Sequence, residues 1–423
     1  MLQMLISLTV MTVRELSTSQ KIPSQEKEFF QKILTDVESG VCVEKWRISN
    51  EELKIGEKWQ IEKRRLYGGL SDGVDVITVD NGKLSFIVVP TRGMGIWKGE
   101  YQGTFLGWES PIKNLVHPRH INLEARGGLG WLDGFNEMIV RCGLNNFGAP
   151  GVDVIRDNMG RKREITLTLH GKIANIPASF VKVKISSNPP FRLEIEGVVY
   201  ERSMFGSNLK LTTSIATTLG SNSLTISDTV ENLRGVPDEM QLLYHCNFGC
   251  PFLEGGARFV APIKELAPRD PIAAEGIEGF ERYGPPQSGF IEQVYYMRLM
   301  ANEEGDTMVM LTNRSGDKAL SLSYSVKELP CFTLWKNTSS LEDGYVTGLE
   351  PGTSFPNVKS FERKHGRVIV LRPGEKYHAE ITMSVHLGKS CVQKVLDQVK
   401  KISKGISPEV FREPVEKFSP VRT

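Results

Sequence analysis

The chain has 423 residues, of which 40% are hydrophobic and 24% are charged, and its formal net charge is +2. This near-neutral balance, without a long basic block, predicts no nucleic-acid partner, and no apolar stretch is long enough to predict a membrane span. Six cysteines scattered over this length are too sparse for a disulfide scaffold, so we expect reduced thiols and a cytoplasmic protein. The apolar start, MLQMLISLTVMTV, lacks the basic region of a secretory signal, and an extended start upstream of Met11 is an equal alternative to a targeting role.

Helix patterns occur near the two ends of the chain. Residues 24–39 begin at a candidate N-cap serine and end before a glycine, and their apolar face is formed by Phe29, Ile33 and Val37. Residues 390–404 repeat this pattern, from Ser390 to a closing glycine. We therefore predict a short helix at each end.

The long region between these helices has the pattern of β-strands. The segment GVDVITVDNGKLSFIVVP alternates apolar and polar residues around Asn81–Gly82, a pair typical of tight hairpin turns. Similar alternation recurs over 191–201, 207–232 and 365–386. The sequence therefore predicts an all-β fold, a large antiparallel β-sandwich with short terminal helices. We divide the chain into an N-terminal extension with one helix, a β domain, and a C-terminal helix with a tail; these are residues 1–58, 59–388 and 389–423.

The segment EARGGLGWLDGFNEMIVRCGLNNFGAP, residues 124–150, differs from the alternating strands around it. It is rich in glycine, asparagine and aromatic residues. Planar donors, amides and aromatic faces are the groups that a sugar site uses, and here they are Arg126, Trp131, Asn136, Glu137, Arg141 and Asn145. The alternative is a long structural loop on the edge of the sandwich.

Two histidines lie on polar faces of predicted strands. His170 ends REITLTLHG, where it shares a face with two threonines and a glutamate, and Gly171 leaves room beside it. In MQLLYHCNFG, His245 shares a face with Gln241 and Asn247, while the opposite face has the character of a core. The alternatives are a surface histidine at 170 and a buried, hydrogen-bonded histidine at 245.

Neither the segment around His245 nor the GGLG stretch predicts a metal or a cofactor site. A zinc site would need His245 together with Cys246 and Cys250, but adjacent strand residues point to opposite faces and no CxxC motif is present. The GGLG stretch is followed by no phosphate-loop pattern. We therefore expect no metal and no cofactor.

Glu350 lies in DGYVTGLEPGTSFPN, a segment rich in glycine, proline and serine. Pro351 favours an extended backbone at Glu350, and we predict a loop rim there, where binding groups often lie. The alternative is a solvated loop glutamate.

Three of these segments together resemble the catalytic positions of the galactose mutarotase (aldose 1-epimerase) superfamily. They are LHG at 169–171, YHCNFG at 244–249 and GLEPGTSFPN at 348–357, and their order and wide spacing agree with the family. Two further segments, PTRGMGIW at 90–97 and LRPGEKYHAEITMSV at 371–385, resemble its early glycine turn and its final strand. The resemblance covers roughly residues 60–390, and RGGLGWLDGFNE is similar to a divergent branch.

The resemblance implies an antiparallel β-supersandwich with a sugar cleft, and it implies a role for each matching residue. Glu350 would take the proton of the anomeric hydroxyl, His245 would protonate the ring oxygen, and His170 would bind or polarise the substrate. Ring opening, rotation and reclosure would then give the other anomer. The family also uses an aspartate and an arginine, so the residues that we expect to bind substrate are Arg126, Asn136, Glu137, Arg141, Asn247 and Asp270.

The sequence leaves more than one function open. The first hypothesis is an enzyme that interconverts the anomers of a sugar, a uronate or a phosphorylated sugar; Arg92, Arg126 and Arg141 would bind an anionic substituent or would form structural ion pairs. The second is a carbohydrate-binding module without catalysis, and the third is a lyase or isomerase on the same fold. In each, the partner is a small-molecule carbohydrate, with no nucleic acid or membrane involved, and the chain could form a homo-oligomer.

Overall fold

The computed structural model describes residues 29–420, which form two large β-sheets, one separate hairpin and short helices. The strands, in chain order, are β1 Phe29–Asp36, β2 Val41–Cys42, β3 Trp46–Ser49, β4 Gln60–Arg65, β5 Asp75–Asp80, β6 Leu84–Val89, β7 Gly95–Tyr101, β8 Thr104–Leu106, β9 Ile139–Leu144, β10 Gly151–Arg156, β11 Lys162–Leu167, β12 Phe180–Ser186, β13 Arg192–Arg202, β14 Asn208–Thr218, β15 Ser223–Asn232, β16 Asp238–Phe248, β17 Arg258–Val260, β18 Ile263–Pro268, β19 Gln293–Leu299, β20 Asp306–Thr312, β21 Lys318–Ser325, β22 Cys331–Asn337, β23 Val346–Gly352, β24 Ile369–Leu371, β25 Lys376–Leu387 and β26 Glu409–Val410. The α-helices are α1 Asn50–Leu53, α2 Ala125–Gly128, α3 Pro271–Glu275, α4 Lys359–Lys364 and α5 Lys389–Ser403, and 3₁₀ turns occur at Gly69–Ser71, Pro118–His120, Gly130–Gly134, Ile173–Asn175 and Ile277–Gly279.

The two large sheets are almost entirely antiparallel. The first sheet has the order β17-β20-β21-β25-β15-β14-β13-β12-β1-β2. The second runs β26-β18-β19-β22-β23-β16-β9-β7-β6-β5-β4-β3, with β24 paired to β16 and β8 paired to β7; its β26–β18 contact is parallel. The strands β10 and β11 form a separate hairpin. This is the large antiparallel β-sandwich that the alternating sequence predicts.

Alternating side chains of both sheets form the main core. In the first sheet, every second residue of β13 and β14 is buried, and Ile195 and Leu211 belong to the same apolar cluster as Tyr244 and Cys246 of the second sheet. A second, smaller cluster lies on the opposite face of β16 and contains Leu243. Because adjacent strand residues point to opposite faces, β16 supplies both clusters.

The predicted N-terminal helix is wrong where the structure describes it. Phe29–Asp36 is a strand that pairs with β12, and residues 24–28 lie outside the described residues. The expected helical face points outward, since Ile33 is 39% and Val37 is 69% exposed, whereas Leu34 is buried. An apolar spacing of four residues fits either period, and pairing with β12 selects the strand.

The predicted C-terminal helix is confirmed as α5, which packs Val392, Val395 and Val399 against the first sheet. It begins after Gly388 rather than at a serine cap. The division of the chain at residues 58 and 388 stays a prediction, although β1 and β3 each join one of the large sheets. Within residues 29–420 no helix is long and apolar enough to cross a membrane.

Candidate active site

The three residues predicted to be catalytic come together on the outer face of the second sheet. His245 lies on β16 and Glu350 lies on the neighbouring strand β23. His170 lies in the turn that follows β11, and its ring centroid is 5.4 Å from that of His245. Residues separated by 75 and 105 positions in the sequence therefore share one small region on this face of the sheet.

The alternation of β16 determines which way His245 points. Leu242, Tyr244, Cys246 and Phe248 face the core, as predicted, so His245 and the residues two positions away lie on the other face. The hydroxyl of Tyr244 donates a hydrogen bond of 2.9 Å to Asp228 of the first sheet. This contact fixes the direction of β16 from the core side.

His245 and Glu350 form a close and nearly fully buried pair. The Nε2 atom of His245 lies 3.2 Å from Oε1 of Glu350, and the two residues are 5% and 2% exposed. The contact lacks the alignment of a hydrogen bond, so Oε1 of Glu350 is buried without a donor. An acid and a base at this separation can act on two neighbouring atoms of one ligand.

Asn247 orients the His245 ring. Its Oδ1 lies 2.6 Å from Nδ1 of His245, and its Nδ2 donates to the carbonyl of Glu137. Since the amide nitrogen is used elsewhere, Oδ1 is the acceptor and Nδ1 of His245 carries a proton. In neutral His245, Nε2 therefore presents its lone pair to Glu350. Asn247, which we predicted to bind substrate, contacts His245 and contributes to the site by orienting that ring.

Burial governs the protonation of the pair. It lowers the pKa of His245 to about 4, against the weaker raising effect of the Asn247 hydrogen bond. Burial also raises the pKa of Glu350 well above its usual range, as does the nearby Glu292, while Arg269 lowers it. Both directions favour the uncharged forms, a neutral imidazole and a protonated carboxyl group.

His170 faces His245 from a tight turn rather than from a strand. The strand β11 ends at Leu167, and His170 has φ 56°, so the prediction of a strand residue is wrong. Gly143 donates to the carbonyl of His170, which ties this turn to β9. Burial, and then the neighbouring His245, lower the pKa of His170 well below its usual value, and its Nδ1 is buried without a partner.

Aromatic side chains surround the two histidines. Trp131 packs edge-on against His170, with ring centroids 4.7 Å apart, and Phe135 packs edge-on against His245 at 5.2 Å. Trp335 of β22 contacts His245 from another side at 5.4 Å. We call these three residues, Trp131, Phe135 and Trp335, the aromatic wall. Flat apolar faces of this kind pack against the C–H surface of a sugar ring.

Several buried polar atoms at this site have no hydrogen-bond partner. Besides Glu350 Oε1 and His170 Nδ1, they include Nε1 of Trp131 and Oγ1 of Thr333. Thr333 lies directly opposite Glu350 in the β22–β23 ladder. Buried polar groups are rarely left unpaired, so this concentration indicates a place for a polar ligand.

Glu292 and Arg269 were not predicted from the sequence. Glu292 accepts a 2.7 Å hydrogen bond from Nε1 of Trp335 and forms an ion pair of 3.0 Å with Arg269. Both side chains are about one-third to one-half exposed, at 44% and 33%. They lie close enough to Glu350 to affect its pKa, as described above. Both stand in connecting segments that carry no motif, so the sequence offered no signal for them.

Glu350 itself is a strand residue, and the predicted loop rim is wrong. It lies within Val346–Gly352, whose residues are all buried. The glycine and proline residues around it do not prevent pairing with β22. Gly348 leaves space for the carboxyl group, because a Cβ atom there would lie 2.3 Å from the present position of Glu350 Oε1.

Arg141 and Glu137, which we expected to bind substrate, form buried structural ion pairs. Arg141 lies between the sheets, where its Nε is 2.5 Å from Asp228 and its other nitrogens bind Thr213 and Met94. Its position on β9 alternates with Val140 and Cys142, which face the site. This corrects the prediction, because the guanidinium is enclosed on the far side of the sheet.

Glu137 is fully buried and pairs with Arg92 at 2.5 Å. Its neighbour Asn136 donates to the carbonyls of Ile112 and Asn114, away from the histidine pair, although Oδ1 of Asn136 lacks a partner. Both therefore support the segment that carries Phe135 rather than contact the pair. Arg92 forms a structural ion pair rather than a site for an anionic substituent, since its guanidinium is fully buried and paired with Glu137.

Arg126 and Asp270 do not reach the histidine pair either. Arg126 is exposed and pairs with Asp133 on the surface. Asp270 caps α3 by accepting from the backbone of Ala273 at 2.9 Å, and it pairs with Arg269. The sequence held a signal for this role, because an aspartate before a proline is typical of a helix start. Glu292, rather than Asp270, is the carboxylate that raises the pKa of Glu350.

The cysteines near His245 do not converge on a metal. Cys246 faces the core, whereas Cys250 is exposed. In the part of the chain that the structure describes, no group of three histidine, cysteine, aspartate or glutamate residues could hold a metal ion. The groups at this site that can serve general acid–base catalysis are the neighbouring side chains of His245 and Glu350.

Comparisons with known proteins agree with this fold. A family model described as a domain of unknown function, DUF4432, matches residues 71–385. No curated protein matches the chain. The crystal structure of a "putative aldose 1-epimerase" from Klebsiella pneumoniae subsp. pneumoniae is 36% identical, covers 91% of this chain and 98% of that chain, and has a TM-score of 0.86. A galactose mutarotase-like protein from Clostridium acetobutylicum is 15% identical, covers 81% of this chain and 99% of that chain, and has a TM-score of 0.52, which shows the fold alone.

Proposed function

Because the chain belongs to the DUF4432 family and to the galactose mutarotase-like superfamily, we propose that it is an isomerase that interconverts the anomers of a sugar by acid–base ring opening. The observation that carries this proposal is the buried His245–Glu350 pair, with its 3.2 Å separation and its unpartnered carboxyl oxygen. The anomeric oxygen and the ring oxygen of a sugar share one carbon atom. An acid and a base that act on both must therefore be close neighbours.

The reaction begins with a sugar whose anomeric hydroxyl donates to Oε1 of Glu350. This hydrogen bond favours the charged carboxylate, so the carboxyl proton of Glu350 moves to Nε2 of His245. Glu350 then takes the hydroxyl proton, the C1–O1 bond becomes a carbonyl, and the C1–O5 bond breaks. His245 gives its proton to O5. After rotation about C1–C2, the reverse steps close the ring with the other configuration.

The remaining residues bind and orient the sugar. His170 presents its unpartnered Nδ1 to a sugar oxygen, and the aromatic wall packs against the apolar face of the ring. Glu292 keeps lone pairs free for sugar hydroxyls while it holds Trp335 in place. A non-catalytic carbohydrate-binding module would use the same aromatic groups, but it would gain nothing from a buried carboxyl group beside a histidine.

Exchange spectroscopy by NMR tests the proposal. The rate at which α and β anomers exchange is measured for a panel of free sugars, uronic acids and sugar phosphates, with wild type and Glu350→Gln side by side. We expect one sugar to exchange faster with wild type and the acceleration to fall by about 10²–10⁴-fold in the variant, as for the loss of a general base. Saturable binding of a sugar without any acceleration would instead support the binding module. An acceleration that Glu350→Gln retains would remove the assigned base.

A further inference from the structure

Lys336 differs from the other buried lysines of residues 29–420. Three lysines are buried there, Lys63, Lys336 and Lys359. Lys63 lies 2.9 Å from Asp75, and Lys359 lies 3.0 Å from Glu239. Lys336, which is 5% exposed, has no carboxylate within ion-pair distance among the described residues. A buried charge is normally paired, so this exception needs a physical explanation.

The contacts of Lys336 satisfy only part of the hydrogen-bonding capacity of its ammonium group. Its Nζ donates one hydrogen bond of 2.7 Å to the carbonyl of Arg282. It also lies over the rings of Tyr283 and Tyr295, at 5.0 and 6.0 Å from their centroids. An ammonium group has three donors, and ring faces stabilise a cation only modestly. Two N–H donors of Lys336 therefore lack a protein acceptor.

Lys336 lines a cavity of about 290 Å³. This volume is at the lower end for small-molecule sites. The polar and aromatic groups around the ammonium are supplied by Arg282, Gln287, Phe290, Gln293 and Thr338. Glu275, the acidic side chain among the lining residues, is exposed at the rim.

The cavity is separate from the candidate active site. Trp335 contacts His245, and Lys336 is the next residue of the same strand, so it projects to the opposite face of the sheet. Tyr283 and Tyr295, which contact Lys336, belong to the core cluster between the sheets rather than to the cluster around the histidines.

We propose that this cavity binds a small organic anion through Lys336. The carboxylate or phosphate group of the ligand accepts from Nζ of Lys336 deep in the cavity, and the exposed guanidinium of Arg282 contacts it at the rim. The amides of Gln287 and Gln293 and the ring of Phe290 contact the remainder of the ligand. This inference does not depend on the sugar chemistry proposed above.

Thermal unfolding and isothermal titration calorimetry test this site. The probes are inorganic phosphate, glycerol 3-phosphate and malate, with chloride at equal ionic strength as the reference. We expect a saturable rise of the melting temperature with at least one organic probe. Lys336→Met, which keeps an unbranched side chain and removes the ammonium group, should weaken binding of that probe by at least about tenfold. Lys83→Met, at an exposed lysine, should leave it unchanged.

The probes also distinguish the two ligand chemistries, because preference for glycerol 3-phosphate or for malate identifies the group that Lys336 holds. If Lys336→Met does not fold, Lys336→Gln replaces it as a neutral variant that can still donate. The proposal is overturned if none of the probes binds wild type more tightly than chloride does. Equal binding of a probe to wild type and to the neutral variant used, Lys336→Met or Lys336→Gln, would also overturn it.

Discussion

Thr333 and Glu350 lie directly opposite each other on β22 and β23, and each has a buried side-chain oxygen without a hydrogen-bond partner. Cross-strand neighbours project from the same face of a sheet, so one ligand oxygen can contact both. In the proposed mechanism, a hydroxyl beside the carboxyl group can donate to the sugar oxygen from which Glu350 would take a proton. The pair thus extends the candidate site beyond the residues that the family resemblance identifies.

The first prediction concerns the hydroxyl of Thr333. Thr333→Val keeps the shape and removes the hydroxyl, so it should weaken binding of the accelerated sugar by about 1 kcal/mol, or about fivefold. The free energy of unfolding without ligand should not fall, because the hydroxyl makes no hydrogen bond in the protein. Urea unfolding and sugar titration measure the two effects.

Thr307→Val is the matched control for this variant. Thr307 is equally buried, but its Oγ1 donates to the carbonyl of Met300 at 2.8 Å. Its replacement should lower the free energy of unfolding by about 1 kcal/mol and leave sugar binding unchanged. If Thr333→Val proves as destabilising as Thr307→Val, then Thr333 has a partner within the protein and the expected ligand contact is wrong.

The second prediction concerns the space that Gly348 leaves for the carboxyl group. A Cβ at residue 348 would lie 2.3 Å from Oε1 of Glu350 and 3.2 Å from Cε1 of His245. Gly348→Ala should therefore displace the carboxyl group and reduce anomer exchange by at least about tenfold, since general acid–base catalysis requires hydrogen-bond distances. Gly235→Ala is the control, because no atom lies within 4 Å of its added Cβ. Full activity in Gly348→Ala would mean that the carboxyl position observed here is not the reactive one.

The third prediction tests the structural role of the Arg141–Asp228 pair. Asp228→Asn removes the charge that Arg141 contacts and leaves a buried guanidinium without a counter-ion. The free energy of unfolding should fall by about 3–5 kcal/mol, as for other broken buried pairs. Asp72→Asn, in the exposed pair with Arg119, should cost less than about 1 kcal/mol. Denaturant unfolding compares the two variants, and equal small losses would argue against a structural role for Arg141.

The fourth prediction concerns pH and Lys336. Burial lowers the pKa of Lys336 from 10.5 to about 8, against a small raising effect of Glu281. Between these values the unfolded chain binds more protons than the folded chain at this residue, so its contribution to stability rises as the pH increases from about 8 to about 10.5. Wild type should therefore gain stability relative to Lys336→Met over this window.

Comparing wild type with Lys336→Met separates the effect of Lys336 on stability from the effects of the neighbouring groups that titrate. Tyr283 and Tyr295 face Lys336, and burial raises the pKa of each above its usual value. Both tyrosines remain in the variant, as do Arg282 and Glu281, so their contributions largely cancel in the difference. Parallel stability curves for the two proteins from pH 8 to pH 10.5 would contradict the lowered pKa.

The sequence predicted the fold and singled out His245 and Glu350, which the structure brings to 3.2 Å, because both inferences depend on local alternation and on the family resemblance. Alternation along β16 was sufficient to separate His245 and Asn247 from the core residues that alternate with them. It could not assign Arg141, since the pattern separates two faces of β9 without identifying which one is enclosed by the other sheet. Residues 29–36 were misassigned because the strand preference comes from pairing with β12, which a single segment does not reveal.

The site residues that the sequence missed come from connecting segments. Glu292 and Arg269 gain their position from the ends of β18 and β19, and no spacing rule links them to Glu350. Asp270 was wrongly assigned to substrate because its helix-capping role was not recognised. Polar residues in loops therefore needed the folded chain before a role could be assigned to them.

The hydrogen bond from Tyr244 to Asp228 has a consequence for engineering this protein. A one-residue slip of β16 would break that bond and would turn His245 into the core, so the strand that carries His245 is held in register from its core face. The segments that carry Trp131, Arg269 and Glu292 take no part in that hydrogen bond. If the proposed function holds, sequence libraries that vary these segments alone should change which sugar is accepted and leave the position of His245 unchanged.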